Sequence, residues 1–172
     1  MNDIDEIITR LKLVLHPEGG YYTETYRSGE LISSANLPSR YGGDRSYGTA
    51  IYYLLTADTF SSMHKIQSDE IFHFYAGDPV EMLQLPPDGT GNIVVLGADV
   101  TRGMSPQVVV RRGVWQGARL APGGRYALMG TTVAPGFDFA DFQEGNMEDL
   151  LALYPLFGDM IRALSRPKRR LS

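Results

Sequence analysis

Apolar residues first recur at helical spacing, with Ile4, Ile7, Ile8 and Leu11 on one stripe. Asp3 and Glu6 have a capping-box-like spacing at its start and His16-Pro17 ends it, which predicts an N-terminal helix within residues 1–15. From Tyr21 the period changes: Tyr-Tyr-Thr-Glu-Thr-Tyr is an aromatic and β-branched run that reads as a strand. A polar stretch at about 28–45, rich in Ser, Gly and Asn, reads as a loop, an edge or a lid. Further strands are expected at 46–55, 61–66, 69–75, 80–85, 92–96, 107–111, 114–120 and 126–133.

The breaks between them carry turn chemistry: Gly77-Asp78-Pro79, Pro86-Pro87-Asp88-Gly89, Arg112-Gly113 and Ala121-Pro122-Gly123-Gly124. The strands on either side of the first two read as hairpins. About eight to ten short strands at regular intervals argue for a sandwich or a closed barrel, which leaves no unpaired edge. Helical spacing returns at the end, where Asn146 can cap 147–153 and Phe157, Met160, Ile161 and Leu164 share a stripe. The expectation is an all-β chain forming one domain over 1–172. It has a small antiparallel β-barrel at 20–140 around one ligand pocket, C-terminal helices at 146–165 on its outside, and a basic tail at 166–172.

Composition sharpens this picture. Gly 19, Pro 10 and Tyr 10 suit many short strands joined by tight turns. There is no cysteine, so a metal would have to be held by His, carboxylate, amide or water, and the chain fits a reducing cytoplasm. No stretch approaches the roughly 18 apolar residues of a membrane span, and the acidic N-terminus is unlike a basic leader. Arg166, Lys168, Arg169 and Arg170 supply four of the 16 basic residues, so the body is more acidic than the net charge of −4 suggests. That balance disfavours nucleic acid as a partner, and the basic residues read as a solvated tail.

Only three histidines are present, His16, His64 and His73, and the last two bracket Glu70. Residues six apart in extended structure share a face, so His64 and Glu70 can both point inward if the turn at 67–69 keeps register. His73 has the opposite parity from Glu70 and is expected to face outward or into the sheet-packing layer unless a bulge intervenes. The stretch from Ser62 to Gly77 resembles the first signature of the cupin superfamily, which reads His-x-His, three or four residues, Glu, six residues, Gly. His64, Glu70 and Gly77 match it, while Ile66 stands at the second His position. The second signature, Pro-x-Gly-x-x-His, is echoed by residues 111–116, with Arg111 for the Pro and Gln116 for the His. Closer still is the likeness to a group of small, functionally uncharacterised bacterial and fungal cupins, distantly similar to dTDP-sugar epimerases and seed storage proteins. It is carried by His16-Pro-Glu-Gly-Gly-Tyr-Tyr, Glu24-Thr-Tyr-Arg27, Ile51-Tyr-Tyr-Leu-Leu55, Asp69-Glu-Ile-Phe-His-Phe-Tyr75, Val114-Trp-Gln116 and Val133-Ala-Pro-Gly-Phe-Asp-Phe139. The resemblance implies a cupin double-stranded β-helix, of the jelly-roll type, and a homodimer.

Two chemistries suit these residues. In one, His64 removes a proton beside a carbonyl with Glu70 orienting it and raising its basicity, and a tyrosine, Tyr53 above all among Tyr21, Tyr26, Tyr52 and Tyr53, protonates the opposite face. In the other, His64, Glu70 and Gln116 hold a divalent metal, Zn, Mn, Fe or Ni, which is the candidate cofactor; a neutral amide donor makes that shell weak. Glu18 beside Gly19-Gly20, Tyr21, Arg27 with Glu24, Gln116 and Phe74 form the candidate substrate-binding set. Arg27, Arg45 and Lys65 could recognise a phosphate or carboxylate, and no P-loop or dinucleotide fingerprint is present. Trp115 and 135–139 read as packing elements or, alternatively, as a stacking wall for a sugar or an aromatic ligand. The expected function is binding of a small, sugar-like molecule, with isomerase or epimerase-like turnover suggested by the distant epimerase likeness. The alternatives are a divalent-metal cupin enzyme and a non-catalytic metabolite-binding protein.

Overall fold

The alternation of apolar and polar positions is realised as strands in two facing sheets. The computed structural model describes residues 3–166. In chain order these hold α1 (Asp3–Leu11), β1 (Val14–Leu15), β2 (Tyr21–Arg27), β3 (Leu31–Ile32), β4 (Arg45–Ser46), β5 (Thr49–Thr56), β6 (Phe60–Lys65) and β7 (Asp69–Gly77). There follow β8 (Val80–Leu85), β9 (Asn92–Leu96), β10 (Gln107–Val110), β11 (Trp115–Leu120), β12 (Tyr126–Ala134), β13 (Gln143–Glu144), α2 (Met147–Leu153) and α3 (Gly158–Ala163).

Six strands form one sheet in the order β1-β2-β5-β12-β7-β10, five form a second in the order β13-β6-β11-β8-β9, and β3 pairs with β4. Among the described residues no sheet closes on itself, which corrects the expectation of an all-β closed barrel: they form a mixed α/β fold of several sheets and short helices. The turn chemistry explains the error. Of the two expected hairpins only β8–β9 pairs across its turn; at Gly77-Asp78-Pro79 the chain leaves the six-stranded sheet and enters the other. Arg112-Gly113 and Ala121–Gly124 are likewise crossings between sheets. A tight turn reverses the chain equally well within one sheet or between two, so turn residues alone do not distinguish them.

The N-terminal helix is shorter than its pattern suggested. Lys12 takes a left-handed φ of 54°, and Leu13 N–H closes back on the Ile8 carbonyl at 2.9 Å, a helix-ending turn. Residues 14–15 are thereby freed to pair with Tyr22 and Tyr21. The polar stretch after β2 is an ordered arm: Ser34 N–H donates to Asp44 at 2.7 Å, and Arg40 Nε donates to the Gln67 carbonyl at 3.0 Å.

Strand parity splits the apolar residues into two cores. Between the sheets lie Tyr53, Leu55, Phe72, Val80, Met82, Leu96, Val108, Ala118, Leu120 and Met129. The other face of the five-stranded sheet is covered by the C-terminal helices, where Met63, Leu83 and Leu85 meet Leu150, Tyr154, Ile161 and Leu164. Asn146 caps α2 by accepting from the N–H groups of Glu148 and Asp149. The apolar core occupies only part of the space between the sheets, and the remainder is a cavity.

Candidate functional site

The cavity has a volume of about 540 Å³ and is walled by both sheets. The six-stranded sheet contributes inward residues of β2, β5, β7 and β12, including Tyr22, Glu24, Arg27, Thr131 and Glu70. The five-stranded sheet contributes His64, and Ile66 follows it at the end of β6. The segment from Lys12 to Glu18 closes one side, and Phe137, Asp138 and Phe139 close another.

His64 is 3 % exposed. Its Nδ1 lies 2.8 Å from the Ser62 carbonyl, which can only accept, so Nδ1 carries the proton and Nε2 keeps its lone pair. Glu18 Oε2 lies 3.2 Å from the same Nδ1, and Phe142 stacks on the ring at 5.3 Å between centroids. Burial pushes the imidazole's pKa down against the opposing pull of Glu70, the Ser62 carbonyl and Glu144, so the ring is held neutral. The orienting partner is thus the Ser62 carbonyl, with Glu18 alongside; Glu70 acts on His64 through its charge.

Residues 16–20 form a locked loop. His16 N–H donates to the Gly20 carbonyl at 2.9 Å, and Gly19 N–H donates to the His16 carbonyl at 3.0 Å. Gly19 has φ 115°, and a Cβ there would collide with the Phe60 carbonyl oxygen, so only glycine fits. The loop aims His16 and Glu18 into the cavity. Glu18 accepts from Ser61 Oγ at 3.4 Å, and burial pushes its carboxyl up to about 8 despite that contact and the Arg166 charge. His16 is pushed down to about 4 by burial first, then by the charges of His64 and Arg166.

Glu70 faces His64 from the other sheet, buried, with its carboxyl pushed up by burial. Gln116 is the direct cross-strand neighbour of His64, and its Nε2 donates to Glu70 Oε2 at 2.7 Å. Gln116 Oε1 and Ser62 Oγ are buried without a hydrogen-bond partner among the described residues. These residues do not fit a divalent metal: Gln116 turns its amide nitrogen toward Glu70, and Ile66 offers no donor. Among the described residues no three His, Asp or Glu side chains converge as a metal-holding group.

Of the candidate residues, His64, Glu70, Glu18 and Arg27 line the cavity, and Gln116 stands behind Glu70. Arg27 sits at its mouth, bidentate on Glu24 at 2.7 and 2.9 Å and donating to the Phe137 carbonyl. Tyr53 does not serve as a cavity acid: its hydroxyl donates to the Gly19 carbonyl at 2.7 Å, and burial with the Glu18 charge holds its pKa well above the usual tyrosine value. Tyr21 lies on the opposite face of β2, one residue from the cavity-lining Tyr22, and Phe74 packs against the core between the sheets. His73 faces outward, where its Nε2 meets Thr132 Oγ1 at 2.6 Å. Arg45 is buried in a pair with Asp141, and Lys65 lies over the Trp115 ring at 4.4 Å, so neither is free for a ligand anion.

Arg166, expected in a solvated tail, donates to the Pro17 carbonyl at 2.5 Å; Lys168, Arg169 and Arg170 lie outside the described residues. Phe137 and Phe139 line the cavity, while the sequence did not point to His16, Lys12 and Tyr22 as cavity residues. Strand parity offered no signal for His16, because residues 17–20 form a turn rather than extended chain.

The chain resembles several known proteins over most of its length. It is 31% identical over 149 residues to the uncharacterized protein YML079W of Saccharomyces cerevisiae, covering 81% of this chain and 74% of the yeast protein. A hypothetical protein from Leishmania major superposes with a TM-score of 0.84 at 33% identity, covering 96% of this chain and 100% of the other. Protein SO0799 from Shewanella oneidensis gives 0.85 at 34% identity, covering 98% and 100%. No helix among the described residues is long and apolar enough to cross a membrane. Residues 5–144 match the family described as Cupin superfamily (DUF985), and the chain belongs to that family.

Proposed function

We propose that the cavity binds a small, sugar-like carbonyl compound and moves a proton on the carbon next to the carbonyl. The observation that carries this reading is the anchoring of His64: with Nδ1–H given to the Ser62 carbonyl, Nε2 is a neutral base beside a cavity that the ring lines. His64 Nε2 takes the carbon-bound proton, and the C–H electron pair becomes the C=C bond of an enolate as the carbonyl π pair moves onto oxygen. Glu18, pushed up to about 8 and so protonated at neutral pH, supplies the proton returned to carbon. The enolate oxygen pair re-forms the carbonyl. His64 then gives the proton gained at Nε2 to water and keeps Nδ1–H on the Ser62 carbonyl, Glu18 takes one proton from water, and both groups are restored. Tyr22, Phe137 and Phe139 give the apolar wall that a sugar ring stacks on, and Glu24, Arg27 and Asp138 at the mouth suit hydroxyl groups.

Proton NMR in D₂O tests this on a panel of aldoses, ketoses and uronic acids. Enzyme-dependent loss of one C–H signal, abolished in His64→Gln, is the expected result. Saturable binding with no exchange for any compound would instead make the chain a metabolite-binding protein. A homodimer belongs to the same reading: β1 is an edge strand with Val14 and Leu15 exposed, a row that a second copy would cover, and light scattering tests it.

A further inference from the structure

The two cavity imidazoles are anchored in opposite senses. His64 gives its Nδ1–H to the Ser62 carbonyl. His16 does the reverse: the Glu18 backbone N–H, which can only donate, points at His16 Nδ1 at 3.2 Å. A neutral imidazole that accepts at Nδ1 carries its proton on Nε2. The ring cannot turn to exchange these roles, because Tyr22 meets it edge-on at 4.5 Å and Tyr53 at 5.8 Å, and its backbone is held in the locked loop. Nε2–H is therefore the polar group of His16 left without a protein partner among the described residues, on a side chain 7% exposed that lines the cavity.

We propose that His16 is a catalytic residue, whose Nε2–H donates to the substrate carbonyl oxygen as negative charge gathers there. This rests on the proton-transfer reading above. The base and the electrophile are then two histidines of opposite tautomer, one taking the proton and the other stabilising the charge it leaves behind. A neutral donor is the stronger choice here, since an imidazolium would protonate the enolate and halt exchange at the wrong atom. The pairing also narrows the substrate class. The reacting end of the cavity presents a neutral donor, a neutral acceptor and two buried carboxyl groups, Glu18 and Glu70, with no cation lining it. A carboxylate or phosphate would sit against the buried Glu70 with no cation among the residues that line that end, so the group that enters is an uncharged aldehyde or ketone. An anionic group on the same molecule would lie at the mouth, by Lys12 and Arg27.

With three histidines in the chain, nitrogen-15 NMR of the full-length protein labelled at histidine reads both tautomers directly. The expected spectrum has a pyrrole-like Nε2 and pyridine-like Nδ1 at His16 and the reverse at His64. Glycolohydroxamate, a planar mimic of a sugar enediolate, should move the His16 Nε2–H proton downfield on binding. His16→Asn and His16→Gln should weaken the probe at least tenfold and lower exchange kcat about a hundredfold. A protonated or Nδ1–H ring at His16, or a probe that fails to move its Nε2–H, overturns the inference. So does full kcat in both folded variants. Loss of all exchange activity in wild type, with the tautomers and the probe shift as expected, would instead remove the catalytic reading and leave the donor–acceptor pair as a binding site.

Discussion

Gln116 Nε2 donates to Glu70 Oε2 at 2.7 Å, joining the two sheets across the floor of the cavity. The bond satisfies a carboxyl that burial pushes up, and it holds Glu70 opposite His64. It also leaves Gln116 Oε1 buried without a partner among the described residues, and that offsets part of its worth. Gln116→Leu removes the donor and the orphaned acceptor together, so the expected loss of stability is about 1 kcal/mol, the low end for a buried hydrogen bond. Urea unfolding checks this; a loss of several kcal/mol would mean that Glu70, left without its donor, is stranded at a cost that outweighs removal of the orphaned oxygen.

The same amide decides the metal question. Two of the four ligand positions of the superfamily pattern are held by Ile66 and Gln116, and the remaining His64 and Glu70 make too few strong donors. Purified protein dialysed against Zn, Mn, Fe or Ni is expected to hold well under one equivalent by elemental analysis. Ile66→His with Gln116→His should raise this toward one. A full equivalent in wild type, lost in His64→Ala, would establish a metal site that these donors do not predict.

Much of this site was legible in the sequence because strand parity is simple to count. Glu70 and His73 lie on one strand with opposite parity, and Glu70 lines the cavity while His73 faces outward; His64 meets Glu70 from the other sheet, which a count along the chain does not give. What failed was anything needing a third dimension. Turn residues mark where the chain reverses but not which sheet it enters, so the crossings at Gly77-Asp78-Pro79 and Arg112-Gly113 were invisible and a closed barrel looked reasonable. Tyr53 has cavity-side parity but spends its hydroxyl on the Gly19 carbonyl, a contact between residues far apart in sequence. His16 was hidden for a different reason: His-Pro reads as a helix stop, and the helix in fact ends earlier, at Leu11.

A buried ion pair holds one wall of the cavity. Arg45 Nη2 and Nε meet Asp141 Oδ1 and Oδ2 at 2.5 and 2.7 Å, with both side chains nearly inaccessible. Asp141 closes the short 3₁₀ turn Phe139–Asp141, whose next residue, Phe142, stacks on His64. Asp141→Leu alone strands the guanidinium in the interior and is expected to cost about 3–5 kcal/mol, whereas Arg45→Met with Asp141→Leu should recover most of it. Thermal melting of the single and double variants distinguishes this from a pair of negligible worth, for which the single variant would melt with wild type.

Stability should depend on pH through the cavity groups, in two opposing senses. Glu18 has a folded pKa of about 8, above its ordinary 4.5, so the folded state binds its proton more tightly. That contribution is complete below about 4.5 and is lost as pH rises through 8. His16, lowered from 6.5 to about 4, and His64, also lowered, act oppositely: their contribution is complete above about 6.5 and is lost as pH falls. Between pH 6.5 and 8 the histidines no longer titrate in either state, and stability should decline with pH by up to about 2 kcal/mol for Glu18 alone. Glu70 is pushed up as well and titrates in the same sense, so Glu18→Gln shallows this slope without abolishing it. Below pH 6.5 the variant loses the term that opposes the histidines, and its stability should fall more steeply than that of wild type. Urea midpoints at half-unit steps from pH 4.5 to 8.5 give both curves; parallel curves for wild type and Glu18→Gln would show that Glu18 is ionised in the folded protein, and the proton donor of the proposed reaction would have to be sought elsewhere.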